Sequence, residues 1–456
     1  MKKNILLFSI VLGMYTFGQT VTAANLNFKG TGQTLIYPYY TVNNDLNTLL
    51  SVVNTTEEVK AIKVRFLEGD NGQETLLLNV YLSPFDVWTA ALSATTTGVW
   101  LTTFDNSCVP FLGNPQPFLE FAYVLDPGSD EEERERDGHF EILEMGIVTD
   151  PVLGPSATHV NGVPADCGAL AAAWLPDGQW DVDPNDGLTP PTGGLYGNAI
   201  IVDVAEGTAV SYRAEAIDNF FAEEDINHTD PGNLSPNLSS AEPQSLLIDS
   251  NEAVVSNWSS GEDAISALFM HESLFGEYVL GSGINALTEW VVTFPTKPFY
   301  VNGNPLRAPF NESFGSEGAC EPFEETFYDR EEQTLDTSCP TMCPPSPQES
   351  LCWNSNVIHF YNSSIGQSKQ SISPVLGSSN ILSLNTNPFD SGQVILEFLN
   401  DRALIDLDNN FAYKGYPMTG FAVQTYTNIK AQPGLLAQYA AIFNHTYKRS
   451  ITSSSD

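Results

Sequence analysis

Basic residues are scarce. Against 56 Asp and Glu the 456-residue chain carries only 18 Lys and Arg, a formal charge of −38. A surface this negative repels phosphate backbones and anionic lipid, which excludes nucleic acid as a partner, whereas it keeps a protein soluble and attracts cations or basic molecules. Histidine is scarce as well, with six residues dispersed through the chain and none at a metal-binding spacing. His271-Glu272 lacks a second histidine four residues on, so the H-E-x-x-H metalloprotease pattern is absent. No G-x-S-x-G nucleophile turn, no Gly-rich phosphate cradle and no repeat of fixed period occurs. Paired carboxylates could make a glycosidase, but among 56 acids no pair stands out. These absences weigh against an enzyme.

Long apolar runs are also missing beyond the first residues. Lys2-Lys3, the apolar stretch Ile5 to Phe17 and the small-residue end Val21-Thr22-Ala23 read as a signal peptide, residues 1–23, cut after Ala23. The run is too short to span a bilayer, and no later segment could. Loss of Lys2 and Lys3 leaves 16 basic against 56 acidic residues, a mature charge of −40. An extracellular or cell-surface destination follows, with the periplasm as the other compartment an export signal allows.

Six cysteines in an exported chain point to three disulfides. Cys108 and Cys167 stand apart from Cys320, Cys339, Cys343 and Cys352, so the simplest partition bridges the first two and makes two bridges among the last four. A four-thiolate zinc site would want paired short knuckles that this spacing lacks.

The remaining sequence is that of a mainly β protein. From Thr34 to Leu92 five strands follow one another, and in the third Ile62, Val64 and Phe66 alternate with Lys63 and Arg65, the period-2 pattern of a half-buried strand. Such a meander needs a second layer, so the expected fold is an antiparallel β-sandwich with long disulfide-tied loops and one or two short helices. Residues 24–150 form its meander, with a further hairpin of Phe118 to Val124 and His139 to Val148 whose tip is the dense charge run Asp126 to Gly138, placed in water. Residues 151–352 read as a mixed segment with cysteine-bearing loops: an irregular excursion over Pro151 to Pro191, a surface loop over Asp225 to Ser245, and a disulfide-tied loop over Asn302 to Ser350. Its helices are Tyr212 to Phe221, where Ala216, Ile217, Phe220 and Phe221 recur at helical spacing, and one opening at Ser259-Ser260 with Glu262 as a capping box and Phe275, Tyr278 and Val279 as its continuation. Residues 353–456 add C-terminal strands that complete the same sandwich.

The phrases LIYPYYTV, VRFLEG, LSPFDVWTA, GGLYG, AEGTA, EWVVTFPTK, GFAVQTYTN and NHTYKR together resemble a family of hypothetical exported bacterial cell-surface proteins. The resemblance spans nearly the whole mature chain. It implies one family-wide architecture and surface exposure, and it carries no catalytic or ligand residue.

Two stretches place oxygen ligands at alternate positions, as a calcium loop does: Asp181, Asp183 and Asn185, and again Asp406, Asp408 and Asn410. Both depart from the EF-hand pattern, and Ca2+ is the one cofactor they call for. Tyr37, Tyr39 and Tyr40 are aromatic candidates for stacking on sugars, although strand aromatics more often fill a core. The function expected is structural or adhesive at the cell surface, with a cell-surface protein or glycan as partner; an extracellular glycan-, peptide- or calcium-binding module and a secreted carbohydrate hydrolase are the alternatives.

Overall fold

The computed structural model describes residues 22–453 except 97, 125, 130, 131, 282, 304, 335–347, 400, 433 and 434, with the backbone alone at 429–431, 435 and 436. The expected leader lies outside these residues but for Thr22 and Ala23. In the N-terminal half the principal strands are Thr34–Thr41 (β1), Asn47–Asn54 (β2), Lys60–Glu68 (β3), Glu74–Leu82 (β4) and Val87–Thr95 (β5). Gly98–Thr102 (β6), Asp137–Val148 (β7), Leu195–Asp203 (β8), Thr208–Arg213 (β9) and Glu215–Asp218 (β10) follow. The C-terminal half contributes Ser273–Val279 (β11), Leu287–Thr293 (β12), Glu321–Asp329 (β13) and Ser355–Tyr361 (β14). Ile381–Asn385 (β15), Ser391–Phe398 (β16), Thr419–Gln432 (β17) and Leu435–Asn444 (β18) complete the set.

The expected β class holds, and its strands make two sandwiches. Sheet I has the order β10-β1-β7-β3-β4 and faces sheet II, β9-β8-β2-β5-β6. Sheet III, β13-β16-β11, faces sheet IV, β15-β14-β12-β17-β18. All these pairings are antiparallel except β14 with β15. Leu50 and Val52 of sheet II meet Ile62, Val64 and Phe66 of sheet I in the first core, and Leu274, Trp290, Ile358, Phe360 and Leu396 fill the second. The inner strands of sheet IV, β14, β12 and the first part of β17, are buried on both sides. Their Val291, Val357, Phe421 and Val423 belong to the first core, where Phe421 stacks on Tyr212 with centroids 4.8 Å apart.

The five opening strands exist, but not as a meander in one sheet. β1, β3 and β4 lie in sheet I, whereas β2 and β5 lie in sheet II, because alternation reveals which face is buried and not which neighbour a strand takes. The helix expected over Tyr212 to Phe221 is instead β9 and β10. β10 pairs with β1, and its Ala216 and Ile217 enter cores on opposite sides of a sheet covered on both faces, so consecutive apolar residues imitated a helical stripe. The second helix is Gly261–Phe269; Ser259 donates its hydroxyl to Asp263 rather than forming the box with Glu262, and Phe275 to Val279 are strand β11. Phe118 packs into the core without being part of a strand. The Pro151 to Pro191 excursion contains three short helices, and Glu324-Glu325 lie on strand β13 rather than in a loop.

Cys108 bridges Cys167 as the spacing predicted, and Cys320 bridges Cys352. Cys339 and Cys343 fall outside the described residues. No helix among the described residues is long and apolar enough to cross a membrane.

Candidate functional site on an uncharged sheet face

The residues Asn47 to Val53 of β2 alternate strictly. Thr48, Leu50 and Val52 point into the first core, which leaves Asn47, Leu49, Ser51 and Val53 on the outside of sheet II. The same phase in β5 exposes Val87, Thr89, Ala91 and Ser93; in β8, Tyr196, Asn198, Ile200 and Val202; in β6, Trp100 and Thr102. Pairing register assembles them into rows. Ser51 lies opposite Thr89 and Asn198, and Leu49 opposite Ala91 and Ile200. Ala91 in turn faces Thr102, and Val53 stands between Val87 and Tyr196. Five strands and four rows span roughly 20 Å on a side.

None of these outward residues is an acid, and Arg213 at the β9 edge is the only base among them. The acids that adjoin the face are turned to backbone duty. Asp86 accepts the amides of Ser83 and Val87, Asp105 that of Ser107, and Asp203 that of Glu206. Between the rows lies an open depression of about 470 Å³ floored by Leu49, Ala91 and Ile200. Phe104, 94% exposed, stands at its margin. Trp100, 43% exposed, belongs to the same face.

The outer face of sheet III follows the opposite rule. Glu277, Glu324 and Glu397 are exposed there, and Glu324 sits directly across from Glu397.

The tyrosines picked out for sugar stacking are not on any surface. Tyr37, Tyr39 and Tyr40 are fully buried, and their hydroxyls donate to the Ser51 carbonyl, the Asp137 carboxylate and the Glu135 carbonyl. Loss of solvent pushes all three phenols well above their ordinary range.

Three of the alternating carboxylates, Asp181, Asp183 and Asp406, serve their own backbone. Asp181 accepts the Asp177 amide at 3.0 Å and Asp183 the amide of Asn185 at 3.1 Å. Asp406 accepts the amides of Asn410 and Phe411 at 2.7 and 3.1 Å, while Asp408 accepts the Asn257 side chain at 2.9 Å. Acid at every second position is what such turns require, and that pattern resembles a calcium loop. Among the described residues no group of three His, Cys, Asp or Glu is placed to hold a metal ion.

The charge run expected in water is only partly there: Pro127, Ser129 and Glu133 are exposed, whereas Arg134, Glu135 and Asp137 turn inward. Arg134 bridges Glu68 at 3.0 Å and Asp126 at 2.8 Å, and the Glu68 carboxylate further accepts the amides of Asp70, Asn71 and Gln73. Burial, with Glu68 adding its negative charge, pushes the Asp70 carboxyl up to about 7. Burial likewise raises Glu135 to about 7 and Asp137 to about 6. Asp70 also reaches the second sandwich, accepting from Asn380 at 2.9 Å. These oxygens are engaged internally, so the cluster reads as a structural joint rather than a reaction centre.

No protein-family model matches the chain, and neither does any curated protein or solved structure.

Leu49, Thr89, Trp100, Phe104 and Ile200 escaped the sequence reading. Their signal was a polar phase written in Ser, Thr and Asn instead of acids, scattered over strands more than a hundred residues apart. It becomes one surface only through the β2–β5 and β2–β8 registers.

Proposed function

We propose that the chain is an exported cell-surface protein with an adhesive, non-enzymatic role, and that the bare face of sheet II is its contact surface. The observation that carries this reading is the exclusion of carboxylates from one exposed sheet face in a chain with 56 acids, beside an ordinary acidic face on the second sandwich. The face covers roughly 400 Å². The disulfides Cys108–Cys167 and Cys320–Cys352 suit an oxidising exterior.

The test is attachment of cells, or of beads coated with the protein, to a surface. Leu49→Asp alone should abolish attachment with only a modest fall in melting temperature, because the side chain is 40% exposed and faces no acid across the strands. Attachment equal to that of the unaltered protein would sink the assignment of this face.

A further inference from the structure

We infer that the depression on the bare face takes a neutral glycan, an inference that rests on the contact surface proposed above. A sugar ring presents flat C–H faces and a rim of hydroxyls, and the site offers the complement of both. The exposed Phe104 ring stands beside an aliphatic floor, and Ser51, Thr89, Thr102 and Asn198 supply hydroxyl and amide groups around it. Two of these hydroxyls are weakly engaged. Ser51 reaches the Asn198 carbonyl, and Thr89 the Asp105 carboxylate, each at 3.4 Å, which leaves capacity for a ligand.

Charge narrows the class further. An anionic polymer is repelled by the net charge of −38, and a cationic one meets no carboxylate among the residues lining the depression, Asp105 behind Thr89 being engaged by the amide and hydroxyl of Ser107. A wholly apolar peptide or lipid would cover the hydroxyl and amide groups without pairing them. A second copy of this chain would have to bring two strongly negative bodies together. The depression, at about 470 Å³, lies within the ~300–1,000 Å³ range of small-ligand sites.

The experiment is affinity electrophoresis of the full chain through soluble mixed-linkage β-glucan, mannan and, as the anionic counterpart, alginate, at low and high salt. Sedimentation velocity and cell attachment are measured in parallel. Retardation by a neutral glycan, indifferent to salt and weakened about tenfold in Phe104→Ala, is the result expected. Melting of that variant should be unchanged, since the ring is 94% exposed. Retardation confined to alginate and fading with salt, or neutral-glycan binding identical in Phe104→Ala, would overturn the glycan. If no glycan retards the chain and Leu49→Asp instead abolishes a concentration-dependent dimer, the occupant is a second copy; the glycan falls and the contact face stands. If, in addition to binding no glycan, Leu49→Asp affects neither dimerisation nor cell attachment, both fall.

Discussion

The two outer faces of the first sandwich obey opposite rules. Sheet I is charged and covered: Lys60 meets Glu144 at 2.6 Å, Arg65 joins Glu141 and Glu74, and Lys63 donates to the carbonyls of Asp230 and Asn233 in the loop laid over it. Sheet II is bare, its outer face is free of acids, and its one outward base, Arg213 at the β9 edge, is engaged by the Lys29 and Gly30 carbonyls. In water the reverse would be the cheap arrangement, since desolvating ions costs several kcal/mol apiece and exposing Leu, Ile and Phe yields nothing. The charges of sheet I are tolerable because each has a partner. Glu141 shows this: burial raises its carboxyl, but Arg65 and His139 together overcome burial and hold it below the ordinary range. For sheet II no internal compensation is visible, which is why a partner outside the chain is the economical explanation.

The strongest way to break this contrast is to take one charge from the covered face. Arg65→Ala should cost about 3–5 kcal/mol, because it strands Glu141 without its cation; a loss under about 1 kcal/mol in chemical denaturation would show that water reaches the site. A second difference is in response to pH. Asp70, held near 7 in the fold, keeps a proton that the unfolded chain releases near 4, so its contribution is full at acid pH and lost as pH rises through about 7. Asp70→Asn should remove on the order of 2 kcal/mol of pH dependence between pH 5 and pH 8, read from paired melting curves. Attachment through the bare face should stay level over the same range, for none of its rows contains a group that titrates there.

Smaller effects sharpen the contrast with sheet III. Glu324→Gln removes a like charge facing Glu397 and should stabilise by about 0.2–1 kcal/mol, more at low salt. Smallest of all, Phe104→Ala should change stability by no more than about 0.5 kcal/mol. A larger loss in differential scanning calorimetry would mean that the ring supports the fold rather than a ligand.

Strands were legible wherever one phase is apolar and the other is not, as in Ile62 to Phe66. Their assignment to sheets was not, because the partner of β2 lies near residue 90 on one side and near residue 200 on the other. The Tyr212 to Phe221 segment misled because its alternation, buried Tyr212, Ala214 and Ala216 between exposed Arg213 and Glu215, is broken where Ala216 and Ile217 enter cores on opposite sides and Phe220 and Phe221 follow, and those apolar pairs fall at helical spacing. The run from Asp126 to Gly138 misled differently. Its composition called for solvent, but Arg134 is placed to neutralise Glu68 and Asp126 together, and pairing at that level is invisible to composition. The Cys108–Cys167 bridge was readable from spacing, and the proposed contact face was not, because it exists only once five strands are in register.

Sheet IV carries a consequence for how the chain can be divided. One side of β12 closes the second sandwich through Trp290 and Val292, and the other side, through Val291, closes the first, while Thr293 donates its hydroxyl to the Pro38 carbonyl at 2.6 Å. A single strand thus serves as a party wall. Cutting the gene between the sandwiches would not release two independent modules but would leave the first with an open flank of aromatic and branched residues, Tyr39 and Tyr212 among them. The N-terminal half made alone should collect in inclusion bodies or recruit chaperones, and only co-production with the C-terminal half should recover soluble material. By the same construction, a pull applied at a bound surface passes through this wall into both halves at once, so the pair should yield mechanically as one unit.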